Sequence, residues 1–335
     1  GDFCLDLLFY GKHKGFSRES AAPINQINKQ IGYPGAAANV VYNLARLGVN
    51  VIPISVIGTD KDSIINCGDL LFKFFEEAGV DCSKIIRADN RSTYAYLKFM
   101  ATGEGTSTPE QQFYRADVGI DREITHDLED KLLKSLEELD YEVDAIIVSD
   151  YSKGVITPRV LNGAQKLREK NVLVVGNARK DVRRLRKLDL IEQNDFETVS
   201  LYEEIEDRSD DSQLKRCGEK LLADTASNYL IVTRGALGMS VFSNRNELYS
   251  HCYEDVPTKP KKVVDITGAG DTSLAAITAA LCSIRKLSVP GVIFDDYVRA
   301  AKIGNYAAGI VVQKPGTATA SQEELIKEIE DDNQD

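Results

Sequence analysis

The residues best suited to do chemistry lie in one run, Asp265-Ile266-Thr267-Gly268-Ala269-Gly270-Asp271, followed by Thr272, Ser273, Leu274 and Ala275. An apolar pair, Val263 and Val264, precedes it, and the small residues 273–281 after it read as a helix. Gly268, Ala269 and Gly270 therefore fall where a strand turns into a helix. The first N–H groups of a helix lack intrahelical partners and sit at the positive end of its dipole, so such a turn can hold an anion. Asp271 places a carboxylate beside that anion site. Its fitting role is to take a proton from an attacking hydroxyl. A plain helix-capping aspartate in a Gly-rich turn is the competing reading.

Other candidates are scattered along the chain. Gly35-Ala36-Ala37-Ala38-Asn39 comes just before a predicted helix over 40–47 that stops at Gly48, and Asn39 can both donate to and accept from a polyol. Packing by the alanines explains that stretch equally well. Asp6, at the end of the opening strand, can accept from sugar hydroxyls or serve as a turn residue. Asn194 and Glu197, three residues apart, would face the same way on one helical turn, a pair suited to a hydrated Mg²⁺. Thr233-Arg234-Gly235-Ala236-Leu237-Gly238 is a second Gly-rich turn able to meet a nucleotide phosphate; a hairpin turn is the alternative, since residues 239–242 continue as strand. Lys98, Arg115 and Lys153 are candidate cations for a substrate phosphate, against the simpler reading of solvated surface charge. No Walker loop G-x-x-x-x-G-K-[ST] and no strand–G-x-G-x-x-G–helix fingerprint occurs.

These residues need a frame, and the chain supplies one. Four-residue apolar runs at 145–148, 172–175 and 229–232, with a short strand at 190–191, alternate with helical stretches that include 214–222. Thr157-Pro158 marks a helix start, and an Arg/Lys-rich helix is expected from Asp181. Such runs read as strands buried on both faces of a largely parallel sheet, whose ligands bind beyond the strands' carboxyl ends. Asp150, Gly176, Asn194 and Thr233 are placed there. Two segments break the rhythm, about 12–33 and 92–117, the second alternating strictly around a Gly/Thr/Ser/Pro turn. They read as a small β lid. An acidic amphipathic helix is expected from Glu323 to Asp335, as a structural end.

The composition fits this frame. The 335 residues, 43% hydrophobic and 28% charged, suit a single α/β enzyme domain over 1–335. The net charge of −11 argues against nucleic-acid and anionic-membrane partners. No run of 18 apolar residues suggests a membrane span. Six scattered cysteines and three histidines form no zinc spacing and suit reduced thiols, so a cytoplasmic location is expected.

In their order along the chain these motifs resemble those of the ribokinase-like, PfkB-type carbohydrate kinases: Gly1 to Asp6, Gly35 with Asn39, Asn194 with Glu197, Thr233 with Gly235, Asp265 through Asp271, and Asn305 to Gly316. The resemblance implies a Rossmann-like three-layer α/β core with a mostly parallel sheet and a small β lid, and ATP-dependent phosphorylation of a sugar hydroxyl. It implies Asp271 as catalytic base and Gly268, Ala269 and Gly270 as the anion hole. Asp6, Gly35 and Asn39 would hold the sugar, and Asn194 and Glu197 would serve Mg²⁺ and phosphate. Thr233, Gly235 and Gly238 would lie along the nucleotide, Asn305 near the adenine, and a monovalent cation such as K⁺ near Asp265 and Thr267. Whether the lid makes a homodimer is left open by the sequence.

Within that family the chain is most similar to the kinase domain acting on heptose 7-phosphate, through residues 16–23, 111–117 and 149–154. It departs from that pattern at Gly35-Ala36, at Gly176-Asn177-Ala178, and at Arg18, Ser20 and Ala21. A nucleoside kinase of the same fold and a non-catalytic sugar or nucleotide sensor are the other readings.

Overall fold

The computed structural model describes residues 1–61, 63–102, 111–139, 143–202, 211–244, 253–259, 261–287 and 293–332. In chain order the first half comprises β1 (Phe3–Phe16), β2 (Pro23–Ala36), α1 (Ala37–Arg46), β3 (Ser55–Gly58), α2 (Cys67–Glu77), β4 (Ile85–Ala88), β5 (Tyr94–Thr102), β6 (Gln111–Val118) and α3 (His126–Glu137). Then follow β7 (Ala145–Asp150), α4 (Pro158–Lys166), β8 (Leu173–Ala178), β9 (Leu190–Asn194), α5 (Asp195–Ser200), α6 (Asp211–Thr225), β10 (Tyr229–Thr233), β11 (Met239–Ser243), β12 (Tyr253–Val256), α7 (Ala269–Leu287), α8 (Phe294–Val311) and α9 (Gln322–Asp332).

The apolar runs form the sheet they predict. Strands β7 to β10 pair in parallel, and β11 and β12 add antiparallel at one side, in the order β12-β11-β10-β9-β8-β7. Successive side chains of a strand point to opposite faces. Thus Leu230 and Val232 enter one core with Leu132 of α3, Leu161 of α4 and Leu221 of α6. Tyr229 and Ile231 enter another with Leu44 of α1, Ile277 of α7 and Ala300 of α8. Apolar layers on both faces are the reason the runs are continuous. Small residues let α7 and α8 approach closely: a Cβ on Gly304 would stand 2.7 Å from Cγ1 of Ile277.

The two segments that break the rhythm contribute to a separate four-stranded sheet, β2-β1-β5-β6, while β3 and β4 pair alone. The alternating stretch is an antiparallel β5–β6 hairpin as expected; its turn, 103–110, lies outside the described residues, as do His251, Cys252 and 333–335. A cavity of about 450 Å³ borders β7 and residues 50–54, and none of the candidate site residues lines it. No helix among the described residues is long and apolar enough to cross a membrane.

Five expectations are corrected. The opening strand does not end at Asp6; it continues to Phe16, leaving the core as its burial gives way to alternation. Asn39 lies inside the first turn of α1 and not before it. Gly176 sits within β8, where a Cβ would meet Leu188 at 2.7 Å, so it is a packing glycine. No helix starts at Asp181; only a 3₁₀ turn, Val182–Arg184, forms. Val263 and Val264 form no strand; both are exposed, and the N–H groups of Val264 and Asp265 donate to the carbonyl of Val312.

Candidate active site

The chain enters α7 as a tied loop. Asp265 accepts the Thr267 N–H at 2.9 Å and the Gly316 N–H at 3.0 Å, which fastens this loop to the one after α8. Gly268 has φ +80°, and a Cβ there would stand 2.7 Å from Nδ2 of Asn39 and 2.9 Å from Cγ2 of Thr317. Only glycine fits that conformation and that approach. The N–H of Ala269 donates to the carbonyl of Ile266 at 3.2 Å. Of the three residues expected to form an anion hole, Ala269 thus has its N–H engaged within the turn.

One turn in, Asp271 is 8% exposed. Its Oδ2 accepts from Nδ2 of Asn39 at 2.9 Å, and its Oδ1 from the hydroxyl of Tyr151. Burial pushes its carboxyl up to about 6, against the downward pull of those two bonds. Asn39 is fixed in turn: Nδ2 of Asn43 donates to its Oδ1 at 3.0 Å, and Thr272 donates to Oδ1 of Asn43 at 3.0 Å. Below lies Glu192, near the end of β9, accepting from Oγ of Ser273 at 2.9 Å. Burial, reinforced by the charge of Asp271, pushes its carboxyl up to about 8.

Towards the four-stranded sheet, Asp6 meets Nζ of Lys98 at 3.0 Å and the hydroxyl of Thr317 at 3.3 Å. Gly35 packs on it, since a Cβ would come within 3.0 Å of Oδ2. The guanidinium of Arg115 lies 3.9 Å from the centre of the Tyr96 ring and grips Asp117 at 2.6 and 2.9 Å. Nζ of Lys153 lies 3.7 Å from the centre of the Tyr94 ring and 3.1 Å from Asp121. Lys98 and Lys153 are therefore not solvated surface charge. Arg115 and Lys153 gather around one aromatic pair, and each of the three cations has a carboxylate partner.

The opposite end is built on β9 and β10. Oδ1 of Asn194 caps α5 by accepting the Glu197 N–H at 2.7 Å, and the same side chain bonds to the Glu197 carboxylate. Glu197 accepts from Gln193 at 2.8 Å and pairs with Arg179 at 3.1 Å. Burial raises its carboxyl, with Arg179 opposing. Thr233 lies beside Asn194 in register. Gly235 and Gly238 turn the β10–β11 hairpin at φ +56° and +87°. A Cβ on Gly238 would fall 2.2 Å from the carbonyl of Val256, so this glycine serves chain packing. Asn305 is buried within α8 and donates to that same carbonyl at 2.9 Å, holding the end of β12.

One cluster thus brings together Asp6, Gly35, Asn39, Lys98, Gly268 and Asp271; Arg179 links it to Glu197 through its pairing there and its field at Asp271. Sequence reasoning assigned no role to Tyr151, Arg179, Glu192, Ser273 or Thr317. Of these, Tyr151 carried the clearest signal, since it directly follows a strand end. Among the described residues no group of three or more His, Cys, Asp or Glu could hold a metal by itself.

Residues 4–324 match the pfkB family of carbohydrate kinases. The chain belongs to that family. It is 33% identical over 328 residues to the bifunctional protein HldE of Geobacter metallireducens and 30% identical over 333 residues to that of Pseudomonas aeruginosa, covering 97% and 98% of this chain. It spans about three fifths of the length of those relatives, 61% and 62%. In fold, it is similar to the ribokinase of Giardia lamblia (TM-score 0.74, 17% identity, 99% and 97% of the two chains). It is also similar to phosphofructokinase-2 of Escherichia coli (TM-score 0.71, 15% identity, 97% and 95%). The fold is therefore ribokinase-like, and the pfkB chain described here is a sugar kinase.

Proposed function

We propose that this kinase transfers the γ-phosphoryl group of ATP to a hydroxyl of a sugar phosphate, a heptose 7-phosphate being the favoured substrate, in the cytoplasm. The observation that carries the reading is the buried Asp271 carboxylate, raised to about 6 and held from two sides at a helix start. A base poised near working pH suits proton abstraction from an alcohol. In the step, the substrate O–H gives its proton to Asp271 while the oxygen bonds to the γ-phosphorus, and the bond from that phosphorus to ADP breaks. The N–H groups of Gly268 and Gly270 face the charge on the transferring oxygens.

Asp6 and Asn39 orient the sugar, with Gly35 leaving room. Lys98, Arg115 and Lys153 answer the substrate's own phosphate by exchanging their present carboxylate partners for it. Thr233, Gly235 and the amide of Asn194 border the nucleotide; Gly238 and Asn305 support that border from behind. Glu197 fits Mg²⁺ as the single protein carboxylate of an ion otherwise held by water and phosphates. Bound there, the ion would neutralise phosphate charge. Asp265, with Thr267, is the candidate neighbour of a monovalent cation. The four-stranded sheet acts as the lid that excludes water, and its exposed face is the candidate homodimer surface.

The test is ADP release across a panel of sugars, sugar phosphates and nucleosides. Heptose 7-phosphate should give the highest kcat/KM. ADP release no greater than the sugar-free background throughout, or preference for a nucleoside, would sink the reading.

A further inference from the structure

We propose that Tyr151 is a positioning residue for the base, a phenol that fixes the Asp271 carboxylate and keeps it ionised at working pH. This deepens the reading above and rests on it. Asp271 is held by three segments far apart in sequence: its own helix α7, Asn39 of α1 on Oδ2, and Tyr151 on Oδ1. The asparagine alone would leave the carboxylate free to pivot about that one bond. The phenol on the other oxygen fixes its plane, so that the remaining lone pairs have one direction in which to meet a hydroxyl.

Tyr151 is itself held from behind. Asp2, fully buried, accepts the N–H groups of Tyr151 at 2.8 Å, Lys153 at 3.0 Å and Val155 at 2.9 Å. Ser152 takes φ +58°, a left-handed conformation unusual for serine, and its N–H donates to Asp150 at 2.8 Å. A loop so over-determined keeps strain only where the surrounding structure demands it. Here it delivers one hydroxyl to one carboxylate.

The titratable and charged groups facing Asp271 are Cys4 and Asp6 from β1, Tyr151, Arg179 after β8, and Glu192 from β9. Burial and the charge of Asp6 favour its neutral form; Tyr151, Asn39 and Arg179 favour the charged one. Burial and the adjacent carboxylate hold the Tyr151 phenol itself well above its ordinary range, so it remains a donor wherever the kinase works. Loss of that donor leaves the desolvation of Asp271 less opposed.

The experiment is the pH profile of kcat/KM for wild type, Tyr151→Phe and a variant with 3-fluorotyrosine at 151, with Asp271→Asn as control. Tyr151→Phe should lower the plateau a few-fold and move the acidic limb up by about one pH unit, the worth of one hydrogen bond to a carboxylate. The more acidic fluorophenol, a stronger donor, should move the limb down. A Phe variant that loses rate equally at every pH, with the limb unmoved, overturns the proposal. Should the Phe variant fail to fold, the fluorotyrosine limb decides alone: no downward shift overturns it. An Asp271→Asn enzyme that turns over near-normally would instead bring down the general-base reading itself, and is thereby told apart.

Discussion

At Asp271 two opposed effects meet: desolvation that favours a neutral acid, and hydrogen bonds that favour an anion. With Asp271 as the proposed base, their balance, near 6, makes turnover dependent on deprotonation. The rate should therefore fall as pH drops through about 6, with an acidic limb in kcat/KM that Asp271→Asn abolishes. That variant should keep its fold and its ATP binding and lose roughly 10²–10⁴ in kcat, the usual worth of a general base; steady-state kinetics with nucleotide titration checks both parts. Glu192 illustrates the opposite outcome, since one Ser273 bond does not offset its burial. Its folded-state value, about 8, lies above that of the unfolded chain, so the native state holds the extra proton and stability declines as pH rises towards 8. Glu192→Gln, uncharged throughout, should flatten that decline, by on the order of a few kcal/mol at pH 8. Denaturant midpoints at pH 6 and pH 8 measure it. Asp271 was legible because the glycines of its turn, Gly268 and Gly270, are its chain neighbours. Tyr151 and Glu192 were not, because their contacts with α7 join residues that only the finished sheet brings together.

At the scale of elements, the loop after β7 is fixed by close fits. Gly154 has φ +91°, and a Cβ there would stand 1.9 Å from the carbonyl of Arg122. Gly154→Ala should force the loop outward and destabilise the fold by at least about 2 kcal/mol, with turnover falling as Tyr151 leaves Asp271; urea denaturation with an activity assay follows both. The parallel strands were readable because both of their faces are apolar. The segment from Asp181 was not, although the clue was present. Val182, Leu185 and Leu188, all fully buried, recur every three residues, the period of a 3₁₀ turn and not of an α-helix. Val263 and Val264 misled for another reason: an apolar pair is too short to specify a strand, and backbone bonding to Val312 decided its path. Of the long β1–β2 hairpin only a β-lid segment over about 12–33 was legible, and not its strand bounds, since its outer half is partly exposed and lacks a clean apolar face.

At the scale of the molecule, the four-stranded sheet exposes Phe16, Ile24, Phe113, Tyr114 and Val118. Exposed apolar side chains on this sheet suit the proposed homodimer surface. The chain should therefore form a reversible dimer that Phe113→Glu weakens at least tenfold in Kd, as read by sedimentation equilibrium. A second consequence follows from Lys153. Its ammonium stands on Tyr94 of the outer sheet, while two residues back along the same backbone the phenol of Tyr151 grips the base. The four-stranded sheet and the proposed proton acceptor are thus joined through three residues of one backbone segment. If the sheet is the proposed lid, closing it over a sugar would act on the base through this backbone, and an acceptor too small to draw it down should bind and yet be phosphorylated slowly.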